Sequence, residues 1–452
     1  MIFRPGSLVL ASLFSLFTLV LLPAGSAAAG PAAQEFRLSN GMKVIVNEDH
    51  RAPTVAHMVW YRVGSMDEQN GITGVAHVLE HMMFKGTKQL KPGEFSERVA
   101  KLGGRENAFT SKDYTAYFQQ VEKSRLEKVM ALEADRMHNL TMDAAEFGKE
   151  IRVVMEERRL RTDDQPLSLL NEAMNATAWV AHPYRNPVVG WMDDLQNMKA
   201  SDALDWYRRW YAPNNATLVV SGDVDAAQVL ALAKKYYGRV PAKPLPVTRP
   251  QQEPVQTGVK RVTVKAPAEN PYLMLAWKVP KLNDVDKDDE PFALEVLAAV
   301  LDGYDNARLP ARLVRTERLA NAVDAGYDGM ERGPVMFVMS GEPTLAALDQ
   351  SRCAQGRAER TGATPGARKL ELFREHGRVF RYNNELFDVP SWVAVMLGQE
   401  VIPTAVDPLV DPAGRAISAR ARLDNAADVK EALKLIQEIQ PVMCETRGEK
   451  AT

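Results

Sequence analysis

His77, Glu80 and His81 stand at i, i+3 and i+4 in Gly74-Val-Ala-His-Val-Leu-Glu-His-Met-Met-Phe84, a segment that reads as helical from about Thr73. At about 100° per residue, two side chains four apart lie about 40° apart around a helix, so both imidazoles reach one metal ion. Glu80 projects on the adjoining side. A zinc hydrolase needs two neutral imidazole ligands and a carboxylate that takes the proton of a metal-activated water. The chain has seven histidines in 452 residues, so two of them four apart around a glutamate argue against accident. Zinc also takes a third protein ligand and leaves its fourth position open. Acidic candidates lie in Glu146-Phe-Gly-Lys-Glu150-Ile-Arg-Val-Val-Met-Glu156-Glu157, which again has helical spacing. Glu150 and Glu157 share a face two turns apart, with Glu156 rotated by about 100° from Glu157. Spacing leaves all three open, and most acids here pair with Lys149, Arg152, Arg158 and Arg159 on a solvated face.

The elements that must position these groups are mixed. Phe36 to Leu38 and Met42 to Val46 read as strands around Ser39-Asn40-Gly41, because Asn-Gly accepts the positive φ of a tight turn. Further strands are expected at Thr54 to Val63 and Asn215 to Val220. Helices are expected at Lys91 to Lys101, Arg125 to Asn139, Ala144 to Leu160 and Ala226 to Tyr237. Five prolines between Pro241 and Pro254 suit a semi-rigid linker. Beyond it, strands at Val259 to Val264 and Leu273 to Val279 and a helix from Pro291 to Leu301 faintly repeat the first half. A last helix carries Val429, Leu433, Ile436 and Ile439 on one face.

At about 150 residues per domain, this length suggests two or three domains. Lys and Arg total 56 against 58 acids, for a net charge of −2, with 46% hydrophobic and 25% charged residues. That balance is globular and carries no electrostatic footprint for nucleic acid. Two cysteines exclude a Cys-based zinc site, and Cys353 and Cys444 are read as unpaired. Residues 1–29 read as a cleaved signal peptide: Arg4, a 15-residue apolar run from Leu8 to Leu22, then Ala27-Ala28-Ala29. The run is short for a membrane span. The expectation is therefore an exported chain, periplasmic or secreted, with no stable membrane insertion after cleavage.

The chain resembles the pitrilysin/insulinase family of zinc metallopeptidases, whose inverzincin signature is His-x-x-Glu-His. The two-domain bacterial members related to mitochondrial processing peptidase are the nearest in kind. The resemblance rests on the signature with Met82-Met83-Phe84-Lys-Gly86-Thr87 after it, on Gly103-Gly104-Arg-Glu-Asn107-Ala108-Phe109-Thr110 with Asp113-Tyr-Thr115, and on Glu150 to Glu157. It continues through His182-Pro183-Tyr184, Gly190 and Tyr211-Ala-Pro213-Asn214-Asn215-Ala216 to Gly222-Asp223, and covers about residues 35 to 343. It implies an α+β fold of two related domains, each a mainly antiparallel sheet with helices packed on it, forming a clamshell. The catalytic domain would be 30–240, the linker 241–257 and a second, non-metal-binding domain 258–452, atypical after about 343.

The same resemblance implies one zinc per chain. Its third ligand is a distal glutamate; 75 residues separate His81 from Glu157, one fewer than usual, and the following Arg158 cannot be a ligand. Glu157 is thus the implied ligand, and Glu150, seven residues earlier, the supporting acid. Gly103 to Thr110 is implied to be an edge strand beside the metal. There an extended substrate peptide would be held by backbone hydrogen bonds along Asn107, Ala108 and Phe109, and Asn107 would contribute a side-chain amide near the scissile bond. From the second domain, Arg315 and, six residues on, Asn321, where a tyrosine is common, would bind substrate and steady an oxyanion.

The expected activity is zinc-dependent endopeptidase action on extended or unfolded peptides, with Glu80 as general base. The expected assembly is a homodimer or a heterodimer with a related inactive subunit. Two rivals are a catalytically inactive structural or partner subunit and a periplasmic peptide-binding protein. Residues 351 to 380 carry six arginines and no clean period, which suggests divergence or an altered reading frame.

Overall fold

The computed structural model describes residues 33–249, 251–344, 380–382 and 385–387. The expected signal peptide, Cys353, Cys444 and the helix expected at 429–439 lie outside them.

Gln34–Arg37 (β1) and Lys43–Glu48 (β2) pair antiparallel. Gly41 between them has φ +88°, a left-handed conformation that glycine adopts without a Cβ penalty. Asn40 at the same turn donates to the carbonyls of Tyr237 and Val240, at 2.8 Å each. Thr54–Tyr61 (β3), Arg105–Thr110 (β4), Thr115–Glu122 (β5) and Ala216–Gly222 (β6) complete a six-stranded sheet in the order β1-β2-β6-β3-β5-β4. Every neighbouring pair is antiparallel except β2 with β6. One face is buried: Val55, His57, Val59 and Tyr61 of β3 point inward while Ala56, Met58 and Trp60 alternate outward, the period of two that a half-covered strand shows.

Helices cover the buried face. They are Val75–Met82 (α1), Glu94–Lys101 (α2), Leu126–Asn139 (α3), Ala144–Arg158 (α4), Pro166–Ala178 (α5), Met192–Asn197 (α6), Ala200–Trp210 (α7) and Ala226–Tyr236 (α8). The core joins Val44, Val59 and Leu218 of the sheet to Val78 and Leu79 of α1 and Met130 of α3. Helices α5, α6 and α7 are not among those expected from the sequence. The first has no buried residue and hence no apolar stripe. The last buries Ala203, Trp206, Tyr207 and Trp210, a helical period carried by aromatic types that favour strands when judged by propensity.

Residues 241–249 and 251–272 run without regular structure apart from bends. The strand expected at Val259 to Val264 is a correction: this stretch is in no sheet, and Val259 and Val262 are exposed. Alternating valines need a neighbouring strand as well as a pattern, and none lies beside them among the described residues. Leu273–Val279 (β7) and Asp289–Asp302 (α9) follow, then Ala320–Tyr327 (β8) and Val335–Pro343 (β9). The second sheet has the antiparallel order β7-β9-β8. Leu301, Leu309, Phe337 and Met339 are its buried centre. Phe380–Tyr382 (β10) and Glu385–Phe387 (β11) pair with each other. No described helix is long and apolar enough to cross a membrane.

The two halves meet through charged and backbone contacts. Arg332 donates its backbone N–H to Asp113 (2.8 Å) and its guanidinium to the Asp113 carbonyl (2.8 Å) and the Asp67 carboxylate (3.0 and 3.2 Å). Tyr184 donates to Asp113 and accepts from the Gly333 N–H. Glu253 accepts from the N–H groups of Val180, Ala181 and His182 at 2.8 to 3.0 Å and meets Lys278 at 3.0 Å.

Candidate metal centre

Helix α1 owes its position to two different faces. Val75, Ala76, Val78, Leu79 and Met82 are buried in the core, so His77, Glu80 and His81 turn to the opposite side. Its start is fixed by Gly74 at φ +87° and by Glu68, whose carboxylate accepts the N–H groups of Gly74 and Ala76 at 2.8 Å each. Acceptors there satisfy the orphan donors of a helix N-terminus. Burial pushes the Glu68 carboxyl up to about 8. Gly190 lies against the same point: a Cβ on it would fall 2.4 Å from the Thr73 carbonyl oxygen.

Helix α4 is capped by Asp143, which accepts from Ala145 and Glu146 at 2.8 and 2.9 Å. Its buried side carries Phe147, Glu150, Val154 and Arg158, which sets Glu150 and Glu157 against α1. Glu157 Oε2 is 3.3 Å from His81 Nε2 and 3.8 Å from His77 Nε2. Ligand atoms of His77, His81 and Glu157 all lie within 4.8 Å of one another. Two donors at 2.0–2.1 Å in a tetrahedron stand about 3.3 Å apart, so this nitrogen, nitrogen and oxygen set fits zinc. Burial, then the charges of His81 and Arg161, hold His77 down at about 3, which keeps the imidazole neutral, the form a metal ligand requires. Its Nδ1 is buried without a partner among the described residues.

Supporting groups surround this set. Glu150 Oε2 lies 3.3 Å from His81 Nδ1, while its Oε1 meets Lys85 at 2.6 Å. Arg161 binds Glu157 Oε1 at 2.5 Å, on the oxygen turned away from the histidines. Glu80 accepts from the Thr110 hydroxyl at 2.5 Å, and burial outweighs that bond and raises its carboxyl above the ordinary range. Spacing left Glu150, Glu156 and Glu157 open; in the structure Glu156 is exposed and paired with Arg159. Thr110, Lys85 and Arg161 escaped sequence reasoning as partners. Arg161 alone had a local signal, four residues beyond Glu157.

These residues line an open cavity of about 780 Å³. Asn107, Ala108 and Phe109 of β4 form one wall, and among the described residues β4 pairs on one side only, with β5. Asn107 Oδ1 accepts the N–H of Ala108, at 2.9 Å. Ser168, Asn171, Glu172 and Asn175 of α5 form another wall. Arg315 and Asn321 are not brought there. Arg315 donates to Asn306 at 3.1 Å and Asn321 to Glu342 at 2.9 Å, both exposed and neither lining the cavity.

Comparison with known proteins adds the following. The family model described as Insulinase (Peptidase family M16) matches residues 43–190, and that described as Peptidase M16 inactive domain matches residues 197–351. A model described as Tryptophan halogenase matches residues 355–415. The zinc protease PqqE of Helicobacter pylori is 35% identical over 323 residues, 70% of this chain and 72% of that one. The crystal structure of a protease from Helicobacter pylori superposes with a TM-score of 0.66 at 32% identity, covering 76% of this chain and 84% of that one. The periplasmic protease PqqL of Escherichia coli gives a TM-score of 0.57 at 22% identity, over 72% of this chain and 37% of that one.

Proposed function

Because the chain belongs to the insulinase family of peptidases, peptidase family M16, we propose that it is a zinc-dependent endopeptidase acting on extended or unfolded peptides. The observation that carries this reading is the convergence of His77, His81 and Glu157 within 4.8 Å, with Glu80 beside them in one cavity. His77, His81 and Glu157 would hold one zinc ion per chain. The ion supplies Lewis acidity, which polarises a carbonyl and makes water acidic near neutral pH.

Everything else falls to the chain itself. Glu80 is the general base: its raised carboxyl takes the proton of the attacking water and passes it to the leaving amine. Thr110 holds one oxygen of that carboxylate by its hydroxyl. Glu150 orients His81 through Nδ1. The outer edge of β4 would hold the peptide backbone along Asn107, Ala108 and Phe109, with Ala108 turned outward and its N–H released from Asn107 Oδ1, so recognition depends on an extended conformation more than on side-chain identity. Arg315 and Asn321 would reach substrate only after movement of the second half.

Residues 30–240 would form the catalytic domain, 241–257 the linker and 258 onward the second domain. Export fits the apolar run at Leu8 to Leu22 and the periplasmic location named for the relative from Escherichia coli. The family likeness suggests a homodimer or a pairing with an inactive relative. A second reading, a non-catalytic partner subunit, draws on Arg315 and Asn321 standing away from the cavity. Turnover of an unstructured peptide with and without chelator separates the two. Glu80→Gln is expected to keep zinc and lose cleavage; a variant that cleaves as fast as the parent would overturn the role of Glu80.

A further inference from the structure

Arg158 is the residue next to Glu157, and its side chain is only 6% exposed. Burying a guanidinium is costly unless its charge is paired; its Nε is buried without a partner among the described residues, and the contacts fall to the two terminal nitrogens. Here NH1 and NH2 grip the two carboxylate oxygens of Glu172 at 2.9 and 3.0 Å. NH1 also donates to the Gly190 carbonyl at 2.9 Å, NH2 lies 3.4 Å from Asp163, and the Trp191 ring sits 5.6 Å from the guanidinium carbon.

Each partner belongs to a different part of the site. Glu172 is on α5, the cavity wall facing the histidines. Asp163 closes the wide turn Arg159–Asp163 that follows α4. Gly190 rests directly on Thr73 and Gly74, the two residues just ahead of α1, with Trp191 N–H bonded to the Thr73 hydroxyl at 3.0 Å and Thr73 N–H to Asp194 at 3.1 Å. The end of α4 that carries Glu157 is thereby tied, through one side chain, to the start of the helix that carries both histidines.

We infer that Arg158 is a positioning residue for the metal centre: its forked contact with Glu172 and Gly190 sets the distance between Glu157 and the two imidazoles. This rests on the reading of Glu157 as a ligand. A planar fork is required, since lysine offers one point charge and cannot hold both carboxylate oxygens and a carbonyl in the same plane.

The test is zinc affinity of the full chain by chelator competition, beside thermal unfolding of the metal-free protein. Arg158→Lys is expected to bind zinc about 10- to 100-fold more weakly, the usual effect of removing a group that orients a ligand. Glu172→Gln, which leaves the arginine in place, is expected to weaken binding in the same direction. The double variant is expected to be little worse than the poorer single one, because both cut one interaction. A purely structural role would lower the unfolding temperature of the metal-free protein and leave zinc affinity as it was. If the parent binds zinc and both single variants match it, this inference is overturned alone; a parent that takes up no zinc overturns the metal-site reading and this inference with it.

Discussion

In the proposed metal site, Glu150 would set the tautomer of His81. With Nδ1 facing a carboxylate at 3.3 Å, the proton belongs on that nitrogen and the lone pair of Nε2 is turned toward Glu157. Glu150→Gln removes the charge that favours this arrangement and leaves Lys85, now 2.6 Å from a carboxylate oxygen, facing a neutral amide. Zinc affinity measured by chelator competition is expected to fall about 10-fold or more, while an unchanged affinity would mean the Nδ1 contact is idle. At this scale His77, Glu80 and His81 were legible because all three sit on one helix, where spacing alone sets direction. The choice of Glu157 over Glu156 came from the family resemblance and not from spacing, since it depends on which side of α4 meets α1. Thr110 and Lys85 were hidden for the same reason: each reaches its carboxylate across elements brought together only by packing.

Among elements, the contact of the Gly190 segment with the start of α1 governs where the histidines sit. Gly190 has φ +89°, and an added Cβ would collide with backbone atoms at Thr73 and Gly74. Gly190→Ala is therefore expected to cost on the order of 2 kcal/mol of stability and to weaken zinc binding as well. Thermal melts with and without zinc check this, and a variant as stable as the parent would contradict it. The reading of elements from sequence followed how much local pattern each one keeps. Strands β1 and β2 were legible from Asn40-Gly41, and α3 and α4 from apolar spacing. Helix α5 was not, because its cavity-facing residues Ser168, Asn171 and Asn175 are polar and none of its residues is buried. The valines at 259 and 262 erred in the other direction, carrying a strand pattern with no strand to pair with.

For the whole molecule, the link between halves is electrostatic and so depends on pH. Burial of Glu253 works against its charge, but the N–H groups of Val180, Ala181 and His182, with Lys278, outweigh it and hold the carboxyl near 2 instead of 4.5. A group lowered on folding adds stability that is complete above its unfolded value and disappears as pH falls through its folded one. Glu253→Gln is thus expected to melt earlier than the parent at pH 7, with the gap closing between about pH 4.5 and 2. Melts across that range test it; a gap of constant size would deny the charge any part. A different consequence attaches to β4, whose outer edge pairs with no strand among the described residues. A row of amides accepts any strand, including the equivalent strand of another copy. Concentrated solutions would then favour molecules zipped edge to edge, each stoppering the other's mouth, so turnover per molecule should drop on concentration and return on dilution.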